Sequence, residues 1–114
     1  MKIAITYDIN STLIEQHFGE SRFFLIAEDK YGQVKTQVIN NGGNSHKDLI
    51  PYLKGLGVDV LICGGIGSHA VELLYDNGIK VLPGCSGKAD HALSQYLEGK
   101  LRGNLAAIHE CKEH

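Results

Sequence analysis

The sequence has no long apolar run, and no stretch approaches the ~18 residues that a membrane-spanning helix requires. Its first residues, 1–5, are typical of a β-strand and carry no apolar leader with a cleavage site for secretion. Neither sign of charge is in excess, since 11 basic and 13 acidic side chains leave a formal net charge of −2. This balance gives no electrostatic reason to expect nucleic acid or an anionic membrane as a partner. We therefore expect a cytoplasmic protein with no nucleic-acid and no membrane partner.

Cysteine is too scarce for a disulfide framework. The chain has three cysteines, an odd number, and the spacing of Cys63, Cys85 and Cys111 matches no disulfide pattern. A chain of 114 residues needs no disulfide, because as one domain it can bury roughly two-thirds of its unfolded surface. In a reducing compartment the cysteines are then free thiols, core residues or metal ligands. Histidine is plentiful, with six residues, so the question is whether the histidines meet in space.

Apolar periodicity and turn residues predict five strands and three helices. Strands 2 and 3 form a hairpin, and the helices that follow connect parallel strands by right-handed crossovers. The sequence therefore predicts an α/β fold of three layers, α/β/α, around a mixed five-stranded sheet of order 3-2-1-4-5 in which strand 2 is antiparallel. The predicted strands span residues 2–7, 23–28, 34–40, 58–63 and 79–82. One helix is predicted to begin at Ser45, and two more are predicted over residues 68–76 and 88–98.

The domain is expected to comprise residues 1–101. Residues 102–114 show little periodicity, so we expect a polar C-terminal tail that is partly disordered. The tail carries His109, Cys111 and His114. Because their spacing matches no closed zinc site, solvated side chains are the simpler interpretation of this group.

The predicted topology brings histidines and cysteines to one edge of the sheet, where strands 1, 3, 4 and 5 end. The loops at the opposite edge contain neither residue type. Ligands of open α/β sheets bind at the carboxyl edge of the strands. Thiolate together with imidazole selects copper(I), zinc, iron and iron–sulfur species. The residues that fall at this edge are His17, His46, Cys63, His69, Cys85 and His91.

Each of these candidates also has a simpler structural interpretation, and the sequence leaves the choice open. Cys63 ends an apolar strand and could be a small core residue. His46 and His69 could be solvated residues in the first turns of their helices. Cys85 lies in a loop with a glycine on its N-terminal side, where burial is less expected, and His17 lies in a loop, where functional residues concentrate. The predicted metal ligands are His17, Cys85, Cys63, His46 and His69.

A glycine-rich loop between the fourth strand and the second helix is a further candidate feature. Residues 65–70 fit the G-x-G-x-x-A pattern of dinucleotide sites, but the next strand ends without the acidic residue that such a site needs. Free backbone N–H groups and a helix N-terminus still favour an anion, such as a metal–sulfur cluster or an oxyanion. The residues expected to contact that anion are His17, Gly19, Gly64, Gly65, Gly67 and Ser68.

A set of short segments spread along the chain forms a recognisable pattern. These are Lys2-Ile3-Ala4-Ile5, then His17-Phe18-Gly19-Glu20-Ser21-Arg22-Phe23-Phe24, then residues 57–67 (GVDVLICGGIG), Leu74, Gly78-Ile79, Ala92-Leu93, and residues 96–101 (YLEGKL). In this combination the chain resembles the dinitrogenase iron–molybdenum cofactor biosynthesis family, whose small domains hold cofactor precursors during nitrogenase assembly. The resemblance extends from Met1 to Leu101, and the combination is more specific than any one segment.

The resemblance implies a ribonuclease-H-like α/β/α fold and a cofactor-binding role for His17. It also implies a non-enzymatic binding or carrier protein for a metal–sulfur cluster. That cluster would be an iron–molybdenum cofactor precursor, an iron–sulfur cluster or a molybdenum-containing cluster. Proteins that donate or accept the cluster would then be its partners.

Two other functions are alternatives to a cluster carrier. A nuclease of the ribonuclease-H type needs several carboxylates around divalent metal ions, and the predicted edge offers Asp8 and little else. We therefore expect the protein not to be an enzyme. A nucleotide- or anion-binding regulatory module, which would use the loop at Gly64–Gly67, remains the alternative.

Overall fold

The computed structural model describes residues 1–44 and 48–109, which form a five-stranded sheet with helices on both faces. Two 3₁₀ turns, Phe18–Glu20 and Leu105–Ala107, lie in the connections. In chain order the elements are β1 (Lys2–Tyr7), β2 (Phe23–Lys30), β3 (Gln33–Asn40), α1 (Leu49–Gly55), β4 (Val60–Ile62), β5 (Ile66–Gly67), α2 (Ser68–Asp76), β6 (Lys80–Leu82), α3 (Ala89–Leu97) and β7 (Ile108–His109).

The main sheet has the strand order β3-β2-β1-β4-β6. β2 runs antiparallel to both β1 and β3, whereas β1, β4 and β6 run parallel to one another. Successive strands that run in the same direction need a connection that returns across a face of the sheet. Helices therefore lie between β3 and β4 and between β4 and β6, whereas a tight turn joins the antiparallel β2 and β3. The predicted α/β class with a mixed five-stranded sheet is confirmed.

Apolar side chains of the described residues form a core on each face of the sheet. Leu53 and Leu74, from α1 and α2, pack with Leu61 on one face. Leu93, from α3, packs with Ile62 on the other face. Leu61 and Ile62 are neighbours in β4, and successive side chains of a strand point to opposite faces. The strand thus contributes to both cores, which explains its continuously apolar sequence.

The helices follow the sequence signals closely where they are described. α2 has the predicted bounds, and α3 is one residue shorter at each end. Residues 45–47 lie outside the described part of the chain. The helix predicted from Ser45 begins instead at Leu49, because Asp48 is its N-cap. Pro51 falls in its first turn, where the missing N–H has no helical partner to lose. Within the described ranges, no helix is long and apolar enough to cross a bilayer.

Residues 102–109, here called the C-terminal strap, return to the carboxyl edge of the sheet after α3. The Asn104 N–H donates to the Pro83 carbonyl at 2.7 Å, and β7 pairs with β5 in a separate two-stranded parallel sheet. Contact with the loop after β6 is close, since a Cβ atom on Gly84 would lie 2.6 Å from the Asn104 Cβ. Residues predicted to be a polar tail therefore form a 3₁₀ turn and a strand of the domain as far as His109.

Candidate functional site

The loops at the carboxyl edge are joined to one another through their backbones. The Gly65 N–H donates to the Gln16 carbonyl at 2.7 Å, and the Phe18 N–H donates to the Gly65 carbonyl at 3.1 Å. His17 therefore pairs with Gly65 as a short parallel bridge. The Gly84 N–H donates in turn to the Gly64 carbonyl at 2.9 Å. The loops after β1, β4 and β6 thus hold one another in place.

Two buried neighbours fix the backbone of His17 while its side chain stays exposed. Phe18 is 1% exposed and packs in the core beneath α1 and α2. Ser21 is fully buried, and its hydroxyl accepts the Tyr7 N–H at 3.3 Å and donates to the Phe23 carbonyl at 2.7 Å. The imidazole of His17 is exposed on this anchored loop. It can therefore meet a ligand without the loop having to be ordered first.

The glycines after β4 have different roles from those expected. A Cβ on Gly64 would lie 2.7 Å from the Gln16 Cα, so Gly64 allows the His17 loop to approach. The N–H of Gly65 is already bonded to Gln16, which corrects the expectation that it is free for an anion. Gly67 alone has open space, because nothing lies within 4 Å of the position of its missing Cβ. The loop serves mainly backbone packing, and one glycine borders open space.

A shallow pocket of about 180 Å³ opens where these loops meet β5 and β7. Pockets for drug-sized ligands have volumes of about 300–1,000 Å³, so this one is too small for a dinucleotide. Four residues expected from the sequence line it, namely His17, Gly19, Gly65 and Gly67. The complete lining is His17, Phe18, Gly19, Glu20, Gly65, Ile66, Gly67 and His109.

The structure brings His109 into the pocket, although its sequence context suggested a solvated tail. β7 pairs with β5 in the register Ile66↔Ile108 and Gly67↔His109, which places His109 beside the glycine that borders open space. The one signal in the sequence was the apolar run at residues 105–108, directly before His109. Cys111 and His114, from the same predicted group, lie outside the described residues.

Cys63 and Cys85 lie at the same edge, but neither lines the pocket. They are 0% and 5% exposed, and they pack in the cores on opposite faces of the sheet. Burial, with a smaller contribution from the charge of Cys85, raises the pKa of Cys63 from 9.0 to about 12. Burial also raises the pKa of Cys85. Because a metal binds the thiolate, two protonated core thiols are poor ligands, and the structure favours a packing role for both.

The remaining candidates are not assembled into the pocket. His69 is exposed in the first turn of α2 and, like Ser68, is not among the lining residues. His91 is exposed on α3, and His46 lies outside the described residues. In the part of the chain that the structure describes, no three His, Cys, Asp or Glu side chains are grouped so that they could hold a metal ion.

The electrostatics of the pocket combine one favourable and one unfavourable feature for an anion. α2 begins directly after Gly67, with no side-chain cap and no acidic residue in its first turn. The partial positive charge of its N-terminus is thus not offset by a carboxylate from the same turn. The unfavourable feature is Glu20, which is exposed in the 3₁₀ turn after His17 and places a negative charge in the lining of the pocket.

Comparison with known proteins places this chain in a family. Residues 1–99 match the family model described as dinitrogenase iron–molybdenum cofactor. The chain therefore belongs to the dinitrogenase iron–molybdenum cofactor family. It is also 32% identical over 110 residues to an uncharacterized protein of Methanocaldococcus jannaschii, a match that covers 89% of each chain.

Solved structures agree with the fold. The crystal structure of PH0822 superposes with a TM-score of 0.84 at 27% identity, covering 94% of this chain and 97% of that one. The apo form of the orange protein from Desulfovibrio gigas has a TM-score of 0.76 at 22% identity, covering 90% and 92% of the two chains. At that identity the second likeness supports the fold alone.

Proposed function

We propose that this protein binds an anionic metal–sulfur cluster of the iron–molybdenum cofactor type, or a precursor of it, and carries the cluster between proteins without chemical turnover. The observation that carries the proposal is the exposed His17 imidazole on an anchored loop, in a pocket beside Gly67 and the start of α2. Membership of the family supplies the class of cargo.

The donor chemistry and the size of the pocket fit such a cargo. Imidazole nitrogen is a suitable ligand for iron. A volume of about 180 Å³ is below the ~300–1,000 Å³ of pockets for drug-sized ligands, which suits a compact inorganic cluster rather than a nucleotide. The uncapped N-terminus of α2 favours the negative charge of the cluster. Binding would therefore be led by histidine, with the two buried cysteines as supporting core residues.

A carrier without turnover is proposed because the described residues offer no evident catalytic apparatus. Nucleases of the ribonuclease-H type gather carboxylates around divalent ions, and no grouping of three acidic or other metal-binding side chains occurs among residues 1–44 and 48–109. Cys63 and Cys85 are buried and have raised pKa values, so neither is an activated nucleophile.

A regulatory module that binds a free anion is the second candidate, and the start of α2 is the feature that favours it. The commitment of the Gly65 N–H to Gln16 removes one of the donors that such a site would use. Titration with inorganic phosphate and with ATP separates the two functions. Saturable binding of either anion, unaffected by His17→Ala, would support the module instead of the carrier.

The proposal is tested by loading the protein anaerobically with a preformed iron–sulfur cluster that carries labile thiolate ligands, and separately with tetrathiomolybdate. We expect His17→Ala to weaken retention of the iron–sulfur cluster by at least ~10-fold, as loss of groups at metal sites commonly does. His91→Ala is the matched control, since His91 is also exposed but lies on α3. Equal loading and an identical spectrum for His17→Ala and the wild type would overturn the proposal.

A further inference from the structure

We infer that His109 supplies a second imidazole ligand to the cluster, which makes the C-terminal strap part of the binding site. The inference rests on the proposed function, and it adds a residue that the family match does not include, since that match ends at residue 99. The observation behind it is the joint presence of His17 and His109 in the lining of one pocket, although 92 positions (109 − 17) separate them in sequence.

Several independent contacts hold the strap that carries His109. Asn104 donates its N–H to the Pro83 carbonyl at 2.7 Å, and its side-chain oxygen accepts the Ala106 N–H at 3.0 Å. A Cβ on Gly103 would lie 3.0 Å from the Pro83 Cδ, so the backbone passes close to the loop after β6. Ile108 packs against the core beneath α1 and α2. The backbone at His109 is therefore placed by the fold of the domain.

The pairing of β7 with β5 then brings the imidazole to the pocket. Gly67 pairs with His109, and the open space over Gly67 leaves room for a ligand beside that histidine. His109 is exposed, as His17 is, so neither ring is enclosed by protein. His17 comes from the loop after β1 and His109 from the strap, and both residues line the same pocket of about 180 Å³.

Two imidazoles on anchored segments bind one cluster more tightly than either does alone, because the second bond forms within the complex of the first. Each ring nitrogen donates its lone pair to a metal atom and displaces a labile ligand, which leaves with its own electron pair. No change of oxidation state is needed. A site with two protein ligands also leaves the remaining metal atoms of the cluster open to an acceptor protein.

The experiment loads five proteins with the same preformed iron–sulfur cluster: wild type, His17→Ala, His109→Ala, the double variant, and His91→Ala as the control. Retention of the cluster against a chelator is measured. We expect each single variant to lose at least ~10-fold in retention. The loss in the double variant should be smaller than the sum of the two single losses on a free-energy scale, because either change already removes the two-point attachment.

A measurement on the unaltered protein makes the outcome independent of variant stability. Long-range ¹H–¹⁵N spectra of the histidine rings, recorded with and without the diamagnetic probe tetrathiomolybdate, should show changes at His17 and His109 but not at His91. If His17→Ala weakens retention while His109→Ala behaves as wild type and the His109 ring signals stay unchanged, the inference fails and the proposed function stands. If neither variant differs from wild type, both fail.

Discussion

Two pairs of metal-binding residue types lie at the same edge of this sheet in opposite environments. His17 and His109 are exposed and line one pocket. Cys63 and Cys85 are buried in the cores on opposite faces. Topology brings residues to an edge, but packing decides which of them can reach a ligand. At this edge the two histidines are accessible to a ligand, whereas the two cysteines are packed in the cores.

The backbone explains why the pairs differ. The Cys63 N–H donates to the Leu82 carbonyl at 3.1 Å, and the Cys85 N–H donates to the Cys63 carbonyl at 3.0 Å, so both cysteines prolong the pairing of β4 with β6 into the core. His17 forms a single bridge with Gly65, His109 is the last residue of β7, and both are exposed. The C-terminal strap contributes to both environments, because it carries His109 and packs over Gly84, next to Cys85.

The largest expected effect is on the rate at which the buried thiol of Cys63 is alkylated. In a Cys111→Ser variant, Cys63 should react with iodoacetamide at pH 8 ~1,000-fold more slowly than in the urea-unfolded chain. A rise in pKa from 9.0 to about 12 lowers the thiolate fraction by that factor, and only the thiolate reacts. Mass spectrometry of timed samples measures the rates. If Cys63 is labelled as fast in the native protein as in urea, then it is not buried, and the contrast between buried cysteines and exposed histidines is lost.

The next largest effect is expected when one methyl group is added beneath the loop that carries His17. Gly64→Ala places a Cβ 2.7 Å and 2.8 Å from the Gln16 backbone, so the His17 loop must shift. We expect a loss of about 2–3 kcal/mol in the free energy of unfolding by urea, together with weaker cluster retention. Gly55→Ala is the matched control, since nothing lies within 4 Å of the new atom and its position at the end of α1 is away from the pocket, so it should not lower the free energy of unfolding. Equal stability for the two variants would contradict the packing role of Gly64.

The elements that could be predicted are those that a pattern of neighbouring residues in the sequence specifies. β1 and α2 have the predicted bounds, because an apolar run and a helical apolar pattern each specify them. The placement of His17 at the carboxyl edge follows from chain direction. His109 could not be placed, because β5 and β7 are two residues long and form through tertiary contacts that periodicity does not report. The burial of Cys85 likewise could not be predicted, because it depends on the strap that packs over its loop.

The burial of Cys63 also predicts how stability depends on pH. Its folded pKa is raised, so its contribution is complete below the unfolded pKa of 9.0 and is lost as the pH rises toward about 12. By pH 10.5 the loss from this group should reach about 2 kcal/mol. Cys63→Ala removes the titrating thiol, so its unfolding free energy should fall by that much less between pH 7 and pH 10.5. If the unfolding free energies of the variant and the wild type fall by the same amount, the loss of stability at high pH does not come from the Cys63 thiol.

The smallest expected effect concerns the one carboxylate in the pocket. Glu20 lines the pocket with His17, and its negative charge opposes an anionic cluster. Since the side chain is exposed, solvent and salt weaken the repulsion, and Glu20→Gln should tighten cluster binding by roughly two- to fivefold at low ionic strength. Glu98→Gln, at the end of α3, is the matched control and should change nothing. The gain should disappear in about 1 M salt, where the Debye length is ~3 Å. Weaker binding by Glu20→Gln at low salt would mean instead that Glu20 acts as a ligand, and the pocket would then be suited to a cation rather than to an anionic cluster.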